Sequence, residues 1–289
     1  MIRVSVPATS ANCCVGYDSM GLALEWRARF TFAPADHLEI TGCPEAYATE
    51  DNLVYQAFEK GCAYLNEETP GVHIHIDSDI PFARGLGSSA TCIVGGLAAA
   101  FVWHHKELNP YEVLALATEM EGHPDNVAPA IFGSLCTSVV DDESMIVCKT
   151  AMDPWHALAV IPNFEVLTAQ ARKCIPETIS HHAAALQAAR AVLFVQGLER
   201  GDQQLVCASC KDALHEPYRA HLIPEYEHLS RTAASNLVPF WISGSGSTML
   251  AISRDKNQLE QMAAWVKDKY GFETRLLEPA SEGMKADHE

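Results

Sequence analysis

The chain has 289 residues, 48% hydrophobic and 20% charged, which is enough apolar material for one large domain or two moderate ones and excludes a disordered chain. A formal net charge of −17 excludes nucleic acid and anionic membrane as expected partners, but a small anion held by local amides and a few cations stays open. Ten scattered cysteines with a single C-x-x-C, Cys207 to Cys210, lack the second pair of a zinc site and read as free thiols in a reducing, cytoplasmic setting.

In chain order, "IRVSVP" alternates and predicts a strand, followed by a loop of small residues, "ATSANCCVGYDSMG". "LALEWRARFTFAP" and "HLEITG" read as further strands. "NLVYQAFEKGCAYLNEE" has helical spacing at Leu53, Ala57, Phe58 and Leu65. "VHIHIDSDIP" alternates Val72, Ile74 and Ile76 with His73, His75 and Asp77, the pattern of a half-buried strand. Next comes "PFARGLGSSATCIVGG", then an uncharged run, about Ala90–Trp103. That run is shorter than the roughly 20 residues that cross a bilayer, so it reads as a buried core helix. "MIRVSVPATSAN" has no export signature. Asn109 and Pro110 predict a helix start, with Asn109 as cap and Pro110 in the first turn, and the helix runs to Gly122. In the second half "WHALAVIPN" reads as a strand, "PETISHHAAALQAARAVLFVQGLERG" as one or two helices, and the stretch to Ser235 as more helix. "PFWISGSGSTMLAIS" predicts strand, turn, strand; "DKNQLEQMAAWVKDKYG" a helix; "FETRLLEP" a last strand. The irregular mixing predicts an α+β fold. A boundary falls in the polar segment Asp141–Asp153, and the tail "ASEGMKADHE" reads as loose.

The glycine loop admits several readings. A P-loop requires a lysine that this loop lacks. "GLGSSA" matches the string of a dinucleotide fingerprint, but about eight residues separate it from the preceding strand, against the tight turn required. A lysine-free loop opening an apolar helix can still bind phosphate through its amides, the helix N-terminus and the hydroxyls of Ser88 and Ser89, with Arg84 at the mouth. The alternative is a core helix merely capped by those serines.

Companion motifs weigh on this choice. The loop resembles the second motif of the GHMP kinases, Val6–Leu24 resembles their first, and Ile242–Ile252 their third. Within that superfamily the match is closest to the homoserine kinases: a PATSAN opening, "EGHPDNVAPAIFG" (Glu121–Gly133), Thr168, Arg172 and Pro176 at family spacing, and "HEPYR" (His215–Arg219). The resemblance implies a GHMP kinase fold. Its ribosomal-protein-S5-like N-terminal domain, residues 1–150, binds ATP, and its ferredoxin-like C-terminal domain, residues 151–289, completes the substrate site.

It further implies ATP contacts at Asn52, Val54, Pro81, Phe82, Ala83, Arg84, Gly85, Leu86, Gly87, Ser88, Ser89, Ala90 and Thr91. Ser89 and Glu121 would hold Mg2+, Glu121 being preferred to Glu119. Asn12, Asp18, His123, Asn126, Arg172 and Arg219 would hold homoserine, and Asn126, Thr168 and Glu121 would act at the transfer itself. A carboxylate for the ammonium and guanidinium forks for the carboxylate suit an amino acid. Asp125 reads as a local brace for its loop. A homodimer is the assembly the resemblance leaves open. Three positions depart from the family pattern: Cys14 stands where a glycine is usual, Tyr17 replaces phenylalanine, and Ser247 replaces proline. The first is expected to disturb a tight backbone turn and the last to loosen one.

Overall fold

The computed structural model describes residues 1–141 and 144–288; Asp142 and Glu143, inside the expected boundary, and Glu289, at the end of the tail, lie outside the described residues. Seven strands form the first sheet: β1 (Ile2–Ala11), β2 (Met20–Pro34), β3 (Glu39–Thr41), β4 (Val72–Asp77), β5 (Leu135–Val140), β6 (Met145–Thr150) and β11 (Lys285–His288). Its path is β11-β1-β2-β4-β3, with β5 on the early part of β2 and β6 on β5. The second sheet runs β10 (Glu273–Leu277), β7 (His156–Ile161), β9 (Met249–Ser253), β8 (Phe240–Ile242).

Both sheets follow from period-2 patterning. In β4, Val72, Ile74 and Ile76 turn inward while the residues between them are exposed or half-exposed. The second sheet is apolar on both faces. Ala157, Ala159 and Ile161 of β7 join the main core, while Leu158 and Val160 join a second cluster. Helices cover both faces: α6 (His181–Arg200) sends Phe194 and Leu198 into the main core, while α9 (Tyr226–Ser235) and α10 (Lys256–Tyr270) pack on the other face.

The first sheet is covered by α1 (Leu53–Tyr64), α2 (Ser88–Trp103), α3 (Pro110–Glu121) and α4 (Pro124–Phe132). Helix α2 is buried nearly all round, as its uncharged sequence predicts. Asn109 caps α3 by accepting from Tyr111 N at 3.0 Å, with Pro110 in the first turn. The remaining helices, α5 (Thr168–Lys173), α7 (Gln203–Ser209) and α8 (Glu216–Arg219), are short; α7 packs on α6, while α5 and α8 send residues to the cavity beside the glycine loop. Among the described residues no helix is long and apolar enough to cross a membrane, and all ten cysteines are free thiols.

Three local readings require correction. Strand β1 runs to Ala11, so Ala8–Ala11 is strand rather than loop, because its backbone continues to pair with Gly21–Leu24 beyond a bulge at Pro7. Within Asp141–Asp153, read as polar, residues Met145–Thr150 form β6, whose Val147 and Ile146 pair opposite Ser138 and Val139. The tail is tied down: Lys285–His288 pair antiparallel with Ile2–Ser5. A strand added through backbone hydrogen bonds leaves little trace in side-chain pattern.

Candidate active site

The cavity lies where the Asn12–Ser19 loop, the glycine loop, the N-terminus of α4, and α5 and α8 converge. At its glycine-loop end Gly87, with φ 66, is the N-cap of α2, and no side chain caps the helix. Ser88 and Ser89 are therefore its first residues rather than caps, and the first-turn N–H groups keep no partner within the helix. Bare backbone is required here. A Cβ on Gly87 would sit 1.9 Å from Thr9 Oγ1, and one on Gly85, at φ 74, would sit 2.0 Å from Ser243 O. The third motif clamps the loop from the other side: Thr248 N donates to Arg84 O at 3.1 Å, and Ser243 Oγ lies 2.5 Å from Gly85 O. Arg84 borders the cavity with Pro81 and Ala83, but its guanidinium donates to the carbonyls of Pro162 and Phe164 and so spans the two halves of the chain.

Across the helix start, Ser89 Oγ donates to Glu121 Oε2 at 2.9 Å. Burial raises the Glu121 pKa, against the smaller lowering effect of Ser89. A half-buried carboxylate beside a hydroxyl, with no cationic side chain in an ion pair with it among the described residues, suits a hard divalent cation that takes few protein ligands.

A second cavity of about 410 Å³ adjoins the first and is lined by Tyr47, Asn52, Phe82 and Thr91 among others. Tyr47 and Phe82 are exposed, with ring centroids 6.2 Å apart. Asn52 caps α1, accepting from Val54 N at 3.0 Å and donating to Tyr47 O at 2.7 Å. Val54 and Ala90 are fully buried and border neither cavity. Tyr47, in a 3-10 turn at Glu45–Tyr47, was not expected from sequence; its segment carries no motif.

The other end is built from side chains. Asn12, Cys13, Cys14 and Asp18 all have positive φ, at 69, 40, 65 and 54 degrees. The family's glycine is thus replaced by Cys14 at a left-handed position, which costs about 1 kcal/mol for an L-residue. The turn is nevertheless kept, because His215 Nε2 donates to Cys14 O at 2.8 Å and Gln187 Nε2 to Val15 O at 2.8 Å. The turn at Ser247 is not loosened, since its buried hydroxyl donates to Phe164 O.

Within the loop, Asp18 N donates to Asn12 Oδ1 at 3.0 Å, and Asn12 Nδ2 donates to Gly244 O at 3.2 Å. Asp18 and Arg172 form a two-pronged ion pair, Nη2 to Oδ1 at 2.9 Å and Nη1 to Oδ2 at 3.3 Å. Burial would lower the Arg172 pKa, but Asp18 outweighs it and the net shift is upward. Arg219 is buried; its Nη1 donates to Gly244 O at 3.0 Å, its Nε to Ala171 O at 3.3 Å, and it lies over the Tyr17 ring.

At the α4 start, His123 Nδ1 pairs with the buried Asp125, which braces this turn as expected from sequence. Burial pulls the His123 pKa down, but the hydrogen bond and charge of Asp125 overcome it and leave it raised. Thr9 Oγ1 donates to Asn126 Oδ1 at 2.8 Å, so the Asn126 amide nitrogen is the end left toward the cavity. Thr168, the first residue of α5, lines the same space. Thr9 and the role of Tyr17 as a platform were not singled out by sequence, because each acts through a neighbour distant in the chain.

Comparison with known proteins bears on the family of the chain. The family described as GHMP kinases N terminal domain matches residues 52–134. The homoserine kinase of Nostoc punctiforme is 37% identical over 300 aligned residues, covering 99% of this chain and 98% of that protein. The homoserine kinase of Clostridium beijerinckii is 38% identical over 262, covering 89% and 88%. The crystal structure of homoserine kinase from Cytophaga hutchinsonii superposes with a TM-score of 0.86 at 26% identity, covering 99% of this chain and 97% of that one. Similarity of that depth along the whole chain, on top of three motifs brought to one cleft, places it by descent as well as by shape: the chain belongs to the homoserine kinase family of the GHMP kinases.

Proposed function

We propose that the protein transfers the γ-phosphoryl group of ATP to the side-chain hydroxyl of L-homoserine, giving ADP and O-phospho-L-homoserine, a step of threonine biosynthesis. The observation that carries this reading is the meeting of an uncapped helix N-terminus with a carboxylate and two guanidinium groups in one cavity. Residues 1–150 supply the ATP side, and residues 151–289 supply Thr168, Arg172 and Arg219; β11 returns to the first sheet.

The amides from Gly85 into the first turn of α2 take the phosphates, and Phe82, Asn52 and Thr91 border the space for the nucleoside. Ser89 and Glu121 would hold Mg2+, which when bound neutralises charge on the phosphates. Asp18 receives the ammonium, and Arg172 and Arg219 the carboxylate, so that Asn126, braced by Thr9, orients the hydroxyl. Asn126 cannot accept a proton at neutral pH and Asp125 is engaged by His123, so the hydroxyl proton leaves on a phosphate oxygen as the new O–P bond forms. Thr168 faces the transferring group.

Purified protein supplied with Mg-ATP and, separately, homoserine, threonine and mevalonate tests the reading through ADP release. Homoserine should be strongly preferred. Equal or faster release with threonine or mevalonate refutes the substrate assignment.

A further inference from the structure

His215 and Glu216 belong to the "HEPYR" segment, yet the roles above use only its arginine. His215 is fully buried, and each ring nitrogen faces a group that fixes its protonation. Nε2 lies 2.8 Å from Cys14 O, which can only accept, so Nε2 carries the proton. Nδ1 lies 3.4 Å from Arg219 Nη1, which can only donate, so Nδ1 presents a lone pair. The ring face stacks on Tyr17, with centroids 5.3 Å apart and an interplanar angle of 25 degrees. Asp212, the nearest carboxylate at 3.7 Å from Nε2, is occupied by the backbone N–H groups of His215 and Glu216 and by Gln187. Burial lowers the His215 pKa, Asp212 opposes this and Arg219 adds to it, so the neutral ring is favoured.

We infer that His215 is a positioning residue that holds the two ends of the amino-acid subsite in register. One nitrogen fixes the loop that carries Asn12 and Asp18, the other aligns Arg219, and the ring supports the Tyr17 platform beneath both arginines. The Gly244 carbonyl, which accepts from both Asn12 and Arg219, closes the same circuit. The spacing between ammonium and carboxylate partners, and with it the preference for an α-amino acid, is thereby set by a residue that need not touch substrate. This rests on the homoserine kinase reading above.

Two variants separate the contacts. His215→Asn keeps an acceptor near the Nδ1 position, and His215→Gln keeps a donor near the Nε2 position. Both should raise the homoserine KM about tenfold or more, as expected for loss of contacts to a charged group, with the ATP KM within about twofold of wild type. The kcat/KM preference for homoserine over 3-aminopropan-1-ol, which lacks the carboxylate, should shrink, and more in the Gln variant than in the Asn variant. A loss confined to kcat and thermal midpoint, with homoserine KM and that preference unchanged, overturns the inference and leaves a purely structural role. In the unaltered protein, imidazole nitrogen NMR should show the neutral Nε2–H tautomer at neutral pH. An Nδ1–H tautomer or an imidazolium there overturns the inference even if neither variant folds. Failure of the wild type to use homoserine refutes the functional reading instead, and the NMR result still decides the arrangement of His215.

Discussion

The two ends of the cavity are made of different material. The end proposed for phosphate is backbone: one contiguous loop, two glycines at positive φ and a helix start whose amides need no side chain. The end proposed for the amino acid is side chains drawn from β1's exit loop, α4, α5 and α8, held by an ion pair, a shared carbonyl and an aromatic platform. A backbone site tolerates most changes of side chain but not an added Cβ. A side-chain site fails one group at a time and fails selectively for the part of the substrate that group meets.

Substitutions at each end test this division. The largest effect is expected where the ends meet: Glu121→Ala should lower kcat by about 100-fold or more and change the magnesium dependence, because a cation ligand acts on the transferring charge. An unaltered magnesium titration would remove Glu121 from the metal site. Gly87→Ala should raise the ATP KM by more than about tenfold and cost about 1–3 kcal/mol of stability, since it forces a Cβ into a left-handed position against Thr9. Denaturant unfolding with ATP titration measures both; normal ATP affinity would contradict a backbone-built phosphate site. Arg219→Leu should raise the homoserine KM about tenfold and leave the ATP KM near normal, as loss of a charge-assisted contact predicts. A parallel rise in the ATP KM would erase the distinction between the ends.

The last test reads on stability rather than rate. Burial first, and Asp212 second, push the Glu216 pKa from 4.5 up to about 7. The folded chain therefore binds that proton more tightly, and the stabilisation it brings below pH 4.5 is lost as pH rises through about 7. A shift of this size is worth on the order of 3 kcal/mol. Glu216→Gln should flatten the fall in unfolding free energy between pH 5 and 8, by about that amount at the alkaline end. A parallel pH curve in the variant would show that other groups set the slope.

Legibility of the molecule in its sequence followed the same division. Alternation in β4, the uncharged run of α2 and the cap at Asn109 are local patterns, and each element formed as expected. The resemblance in three motifs pointed to the family that full-length similarity then established. Residues whose positions depend on distant partners were less legible. Val54, expected to contact ATP, is fully buried and borders neither cavity, and Arg84, expected at the mouth, spends its guanidinium on Pro162 and Phe164. Strand β11 has no apolar alternation, and its pairing with β1 comes from backbone groups that every residue carries.

By itself, then, the sequence determined the α+β class and the glycine-rich loop that opens a buried helix, because these are encoded by residue type and short-range spacing; the charged residues proposed for an amino acid were what the family resemblance implied. Only the tertiary structure decided that Gly87 rather than a serine occupies the cap position of α2, that Asp18 grips Arg172, and that His215 joins Cys14 to Arg219 across about 200 positions of chain. Those contacts depend on how two sheets and their helices close around one cleft, and no local pattern records which side chains will face each other there.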